Sequence, residues 1–118
     1  MFSEAVLDHF RNPRNAGELA GAAVTVEVSN PVCGDILKLS VRIVDGHIVE
    51  ARFLCRGCTT AIACASSLTE QIRGRTFAEA GGLTPESLSN SLGGLPLATF
   101  HGAQLAIDGL KALIDKSR

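Results

Sequence analysis

The sequence predicts an α+β fold: a three-stranded antiparallel meander with helices packed on one face, a short helix before it and a long helix at the end. Three observations carry this. Apolar and polar residues alternate in three consecutive segments between residues 24 and 55. An Asp45-Gly46 turn joins the last two, as expected of a hairpin. After Cys58 the apolar spacing changes to that of helices. Strands followed by helices group the helices on one side of the sheet. At 118 residues the chain is expected to be one domain spanning 1–118, large enough for a core without disulfide staples.

The elements follow in order. Ser3 can cap a first helix in which Phe2, Val6 and Phe10 recur every four residues, and Asn12-Pro13 ends it. A loop runs to Gly21. Val24, Val26 and Val28 then alternate with Thr25, Glu27 and Ser29 as a half-buried strand. After Asn30–Asp35 a second strand sets Leu37, Leu39, Val41 and Ile43 against Lys38, Ser40 and Arg42. The third strand places Val49, Ala51, Phe53 and Cys55 in phase. Thr59 to Arg73, rich in Ala and Leu, reads as a helix stopped by Gly74. Thr84-Pro85-Glu86 opens a short helix with Thr as cap and Pro at the first position. From about His101, Ala103, Ala106, Ile107, Leu110, Leu113 and Ile114 form one stripe of an amphipathic helix.

Eleven Lys and Arg against twelve Asp and Glu give a net charge of −1, with the basic residues scattered. No stripe suited to a phosphate backbone results, so nucleic acid is not expected as a partner. The N-terminus carries Glu4 and Asp8 where a secretory signal would carry bases. No stretch reaches the roughly 18 apolar residues of a membrane span. A cytoplasmic location, without a membrane partner, is expected. In that reducing setting the four cysteines read as metal ligands or reactive thiols rather than disulfides.

Cys33-Gly34-Asp35 lies between strands one and two, Gly57-Cys58 where strand three passes into a helix, and His101 at the start of the last helix. Two thiolates, a carboxylate and an imidazole at element ends make a tetrahedral set suited to zinc, and thiolates are the usual iron–sulfur ligands. The free amides of a helix start also favour negative charge on Cys58. Other readings stay open. A lone cysteine in a chain with 46% hydrophobic residues is as readily a small buried hydrophobe. Gly34-Asp35 alone is also a turn, and a histidine at a helix start is often structural. Cys55-Arg56-Gly57-Cys58 is a CxxC that can chelate metal or cycle as a dithiol. Cys55 shares the core phase of its strand, however, and Cys64 is expected in the core too. His9 and His47 read as surface residues.

The opening Ser3–Asn15, the Asn30–Asp35 loop, the run Arg56–Ala63 continuing to Ser66–Glu70, and Leu95-Pro96 to His101 resemble, in order, the IscU/NifU N-terminal scaffolds. The stretch between Cys58 and His101 is too short for the insertion of the SufU branch, and the histidine also favours the IscU/NifU side. The resemblance implies a small α+β domain that receives iron, and sulfur from a cysteine desulfurase, and passes a cluster, 2Fe-2S above all, to apo iron–sulfur proteins. It implies Cys33, Asp35, Cys58 and His101 as ligands of iron, the cluster or zinc, with no catalytic residue and a homodimer as one possible state.

Two departures stand out. The family has a third ligand cysteine directly after the histidine, where this chain has Gly102. The family's Leu-Pro-Pro-Val-Lys chaperone segment is here Leu95-Pro96-Leu97-Ala98-Thr99. Sulfur acceptance by the usual route and chaperone-driven release are thereby put in question, and a cysteine at residue 102 is expected to tighten cluster retention. Three functions follow: a non-enzymatic cluster scaffold, a zinc-dependent sulfur carrier accepting persulfide, or a degenerate member that keeps only a zinc ion.

Overall fold

The structure is a computed structural model that describes residues 2–31 and 34–117. The order of elements is α1 (Glu4–Arg11), β1 (Val24–Ser29), β2 (Ile36–Val44), β3 (His47–Arg56), α2 (Thr59–Ile72), α3 (Phe77–Ala80), α4 (Pro85–Ser91) and α5 (His101–Ser117). A single 3₁₀ turn, Leu97–Thr99, precedes α5. The sheet order is β1-β2-β3, antiparallel throughout. This is the predicted α+β meander with its short first and long last helix. Asp45 and Gly46 both take positive φ, 52° and 77°, which suits a tight hairpin turn whose twist matches that of the strands.

The core lies between one face of the sheet and the helices. Leu37, Leu39 and Val41 of β2 and Ile48, Ala51 and Phe53 of β3 meet Leu68 and Ile72 of α2 and Ala106, Ile107, Leu110 and Leu113 of α5, all buried. One strand residue departs from the predicted phase. Val49 is 41% exposed and Ile48 fully buried, because the ladder slips between Arg42 and Ile43. The bulge adds one residue to β3 and reverses the facing of everything on its N-terminal side.

The opposite sheet face is covered by chain rather than by helix. Asn15, Ala16 and Gly17 pair with Phe53 at the outer edge of β3. The segment then reaches β1 at the other edge, with Glu18 on Lys38 at 3.3 Å and the Ala20 carbonyl accepting from Arg42 at 2.7 Å. Ser40, which sequence alternation had put on the polar face, is buried and accepts a hydrogen bond from Thr25 Oγ1 at 3.1 Å. Helix α3 lacks a long apolar stripe and escaped prediction. Its signal is the capping box Thr76/Glu79. Among the described residues no helix is long and apolar enough to cross a membrane.

Helix α1 begins as predicted, with Ser3 accepting from the Val6 amide. Its buried side runs through Val6 and His9 rather than along Phe2, Val6 and Phe10, since Phe2 and Phe10 are 40% and 39% exposed. His9 is not a surface residue: its side chain is 11% exposed and its Nδ1 lies 2.8 Å from Ser66 Oγ on α2. The Arg14 amide donates to the same hydroxyl, and Glu70 lies 3.8 Å from His9 Nε2. Burial, then the Arg14 charge, holds His9 below its usual pKa, against the pull of Glu70 and Asp8. As pH falls below about 6.5, the unfolded chain takes up this proton before the folded one does. Stability should therefore fall with acid over that window, and less steeply in His9→Gln. Urea midpoints at about pH 7 and about pH 5 measure it; equal pH slopes for both proteins would refute it.

Candidate metal centre

Three element ends meet at one edge of the core. Asp35 leads into β2, Cys58 is the N-cap of α2 and His101 is the first residue of α5. Cys58 takes extended backbone angles, and its Sγ accepts the Ala61 amide hydrogen at 3.4 Å. The cap residue thus presents its sulfur at the mouth of the helix, and Cys58 is exposed.

One ligand atom each from Asp35, Cys58 and His101 lies within 4.8 Å of the others. Cys58 Sγ is 3.6 Å from His101 Nε2, which is 3.7 Å from Asp35 Oδ2. Bonds of about 2.0–2.3 Å to a tetrahedral cation set its ligand atoms roughly 3.3–3.8 Å apart, so these separations suit ligands of one ion. A nitrogen–oxygen distance of 3.7 Å is too long for a hydrogen bond. The Asp35 side chain is 10% exposed, and among the described residues its Oδ2 is buried with no hydrogen-bond partner. A buried carboxylate oxygen left unpaired is unfavourable, and a cation beside it would remove that penalty. The donor set of soft sulfur, imidazole and carboxylate fits zinc or ferrous iron.

Of the predicted ligands, Asp35, Cys58 and His101 come together, while Cys33 lies outside the described residues. Cys55 is no member of the group. It is half-buried beside the core, and burial first, then the charges of Asp35 and Cys58, pushes its thiol up to about 11. Cys64 is fully buried in α2 and pushed up to about 12, mainly by burial. Both therefore stay protonated near neutrality. His47 is exposed on the hairpin, with Nδ1 3.0 Å from the Asp45 carbonyl.

Sequence reasoning missed what two glycines do. Gly57 packs against the Asp35 carboxylate. Gly102 lies in α5 against the first turn of α2, where an added Cβ would stand 3.0 Å from Ala61 N and 3.1 Å from Ala61 Cα and the Thr60 carbonyl carbon. A cysteine at 102 would therefore add a ligand only if this contact gave way by a few tenths of an ångström. The direction its Cβ would take is filled by helix backbone.

The family model described as NifU-like N terminal domain matches residues 1–117. The iron–sulfur cluster assembly scaffold protein IscU 1 of Archaeoglobus fulgidus is 40% identical over 119 residues, covering 100% of this chain and 78% of its own length. The scaffold protein IscU of Escherichia coli is 38% identical over 117 residues, covering 96% of this chain and 91% of its own. Among solved structures, a protein of Fervidobacterium islandicum AW-1 assigned as a SUF-system cluster assembly scaffold superposes with a TM-score of 0.76 at 22% identity, over 96% of each chain. The N-terminal part of a NifU-like protein from Brucella abortus gives 0.74 at 17% identity, over 96% of this chain and 91% of its own. At those identities the two structures speak for the fold.

Proposed function

Because the chain belongs to the NifU-like N-terminal domain family, we propose that it is an iron–sulfur cluster assembly scaffold, holding iron or a nascent cluster and handing it to apo-proteins. The observation that carries this is the buried Asp35 Oδ2, without a hydrogen-bond partner among the described residues, facing His101 Nε2 and Cys58 Sγ. The proposed ligands are Asp35, Cys58 and His101, with Cys33 as the fourth. The cargo is a 2Fe-2S cluster, with zinc able to take the same site. The protein acts as a carrier rather than an enzyme, in a reducing cytoplasm where its thiols stay free.

The ligands divide the work. Cys58 offers a soft sulfur held at the mouth of α2. His101 offers a nitrogen from a separate helix. Asp35 offers a hard oxygen, which binds iron and zinc but is the weaker partner for a sulfide-rich cluster. The exposure of Cys58 leaves one side of the site open to a cysteine desulfurase that delivers sulfur and to apo-proteins that take the cluster away.

Reconstitution without oxygen, using ferrous iron and sulfide, tests the reading. Visible charge-transfer absorption that survives desalting is expected, and its transfer to an apo-ferredoxin completes the activity. Uptake of zinc but no cluster would instead favour the degenerate zinc-binding member. Binding to the folded state alone should raise the melting temperature, by about 2.7 kcal/mol of added stability at a free metal concentration of about 100 Kd. Apo-protein should remain folded, since the apolar core between sheet and helices needs no metal. Unfolding on chelation would contradict that.

A further inference from the structure

We propose that Gly57 is the positioning residue for the Asp35 carboxylate: its lack of a side chain lets Asp35 Oδ2 lie against the β3–α2 turn and face Cys58 and His101. This rests on the metal-binding reading of the site. A Cβ on Gly57 would stand 2.9 Å from Asp35 Cγ and 3.1 Å from Asp35 Oδ2. On its other side it would meet Ala61 Cβ at 3.1 Å. The space is therefore closed from both directions.

Which neighbour yields follows from their freedom. Ala61 is 2% exposed within α2 and its amide is tied to Cys58, so it can give only slightly. The Asp35 backbone is fixed through its carbonyl, which accepts from the Asn30 amide at 2.8 Å. Its carboxylate, however, can turn about the Cα–Cβ and Cβ–Cγ bonds. An added methyl should therefore swing the carboxylate out of the group and leave the helix where it is. Gly57 has no positive φ, so alanine strains no backbone there.

The consequence separates this role from a plain packing role. Swinging out exposes an oxygen that is buried and, among the described residues, has no hydrogen-bond partner in the native arrangement. Apo-protein should lose little stability and can gain some, because the carboxylate recovers its hydration. Metal affinity should move the other way. A packing defect would lower both together.

The test uses the full chain with Co²⁺ as probe, read by ligand-field absorption, and Zn²⁺ competition for affinity. Gly57→Ala is expected to weaken Co²⁺ binding by about 10–100-fold, close to the effect of Asp35→Ala, with the apo melting temperature held or raised. In Gly57→Ala/Asp35→Ala the second substitution should add less than about a threefold further loss, because the two act through one contact. Wild-type affinity in Gly57→Ala overturns the inference, as does a double variant that loses the product of both factors. If Gly57→Ala fails to fold, recovery of folding in the double variant supports the contact and continued failure overturns it. Wild-type protein that takes up neither Co²⁺ nor Zn²⁺ overturns the site reading and this inference together.

Discussion

Gly102→Cys is expected to destabilise the protein by about 1–3 kcal/mol and to loosen, not tighten, its hold on metal. The three atoms that a Cβ would meet belong to the first turn of α2, at 3.0–3.1 Å. Backbone inside a helix cannot rotate out of the way as a side chain can, and the same turn carries the Ala61 amide that holds Cys58. The start of α5 must therefore retreat, and His101, one residue earlier, retreats with it. That lengthens the 3.6 Å and 3.7 Å separations on which a shared ion depends. Thermal unfolding of apo-protein and Co²⁺ titration measure both effects. A melting temperature equal to wild type combined with tighter Co²⁺ binding would show that α5 tolerates the side chain and gains a ligand.

The largest loss of affinity is expected for Cys58→Ser, which separates two roles of one residue. As N-cap of α2, Cys58 satisfies the Ala61 amide through sulfur. Serine is among the best N-cap residues, so the helix keeps its cap and apo stability should hold or rise by up to about 1 kcal/mol. As a ligand, a neutral hydroxyl replaces a thiolate. Loss of a group that merely orients a ligand lowers affinity about 10–100-fold, so loss of the ligand itself should exceed about 100-fold. The sulfur-to-cobalt charge-transfer band should vanish. Cys58→Ala would lose cap and ligand together, and the gap between the two variants in apo stability measures the cap. Undiminished Co²⁺ affinity in Cys58→Ser would remove Cys58 from the ligand set.

Much of the candidate site was legible because its donor residues stand at element ends and match the ligand positions of the scaffolds the sequence resembles, although cysteine and histidine at helix starts have structural uses too. A cysteine after Gly57 at the strand-to-helix junction and a histidine opening α5 are visible as letters, and element ends are where chain segments converge. The exclusion of Cys55 was legible from strand phase, since it alternates with exposed Leu54 and Arg56. Its phase partner Val49 was not, because a bulge leaves no mark in apolar alternation. His9 was misread for a related reason. Its burial comes from Ser66, 57 residues away, and no local spacing carries that contact.

Local chemistry was enough to set the strands, the Asp45-Gly46 turn, the helix caps at Ser3 and Thr84, and the stripe of α5. Each depends on the periodicity of a few neighbouring side chains or on one residue's backbone preference. The meaning of Gly57 and Gly102 emerged only once α2 and α5 were docked beside the Asp35 loop. A glycine in sequence is an absence of side chain, and what that absence makes room for belongs to another part of the chain. At residue 57 it is a carboxylate and at residue 102 a helix backbone. The first leaves room for the Asp35 carboxylate and the second leaves little room for a side chain, a difference set by packing between segments distant in sequence.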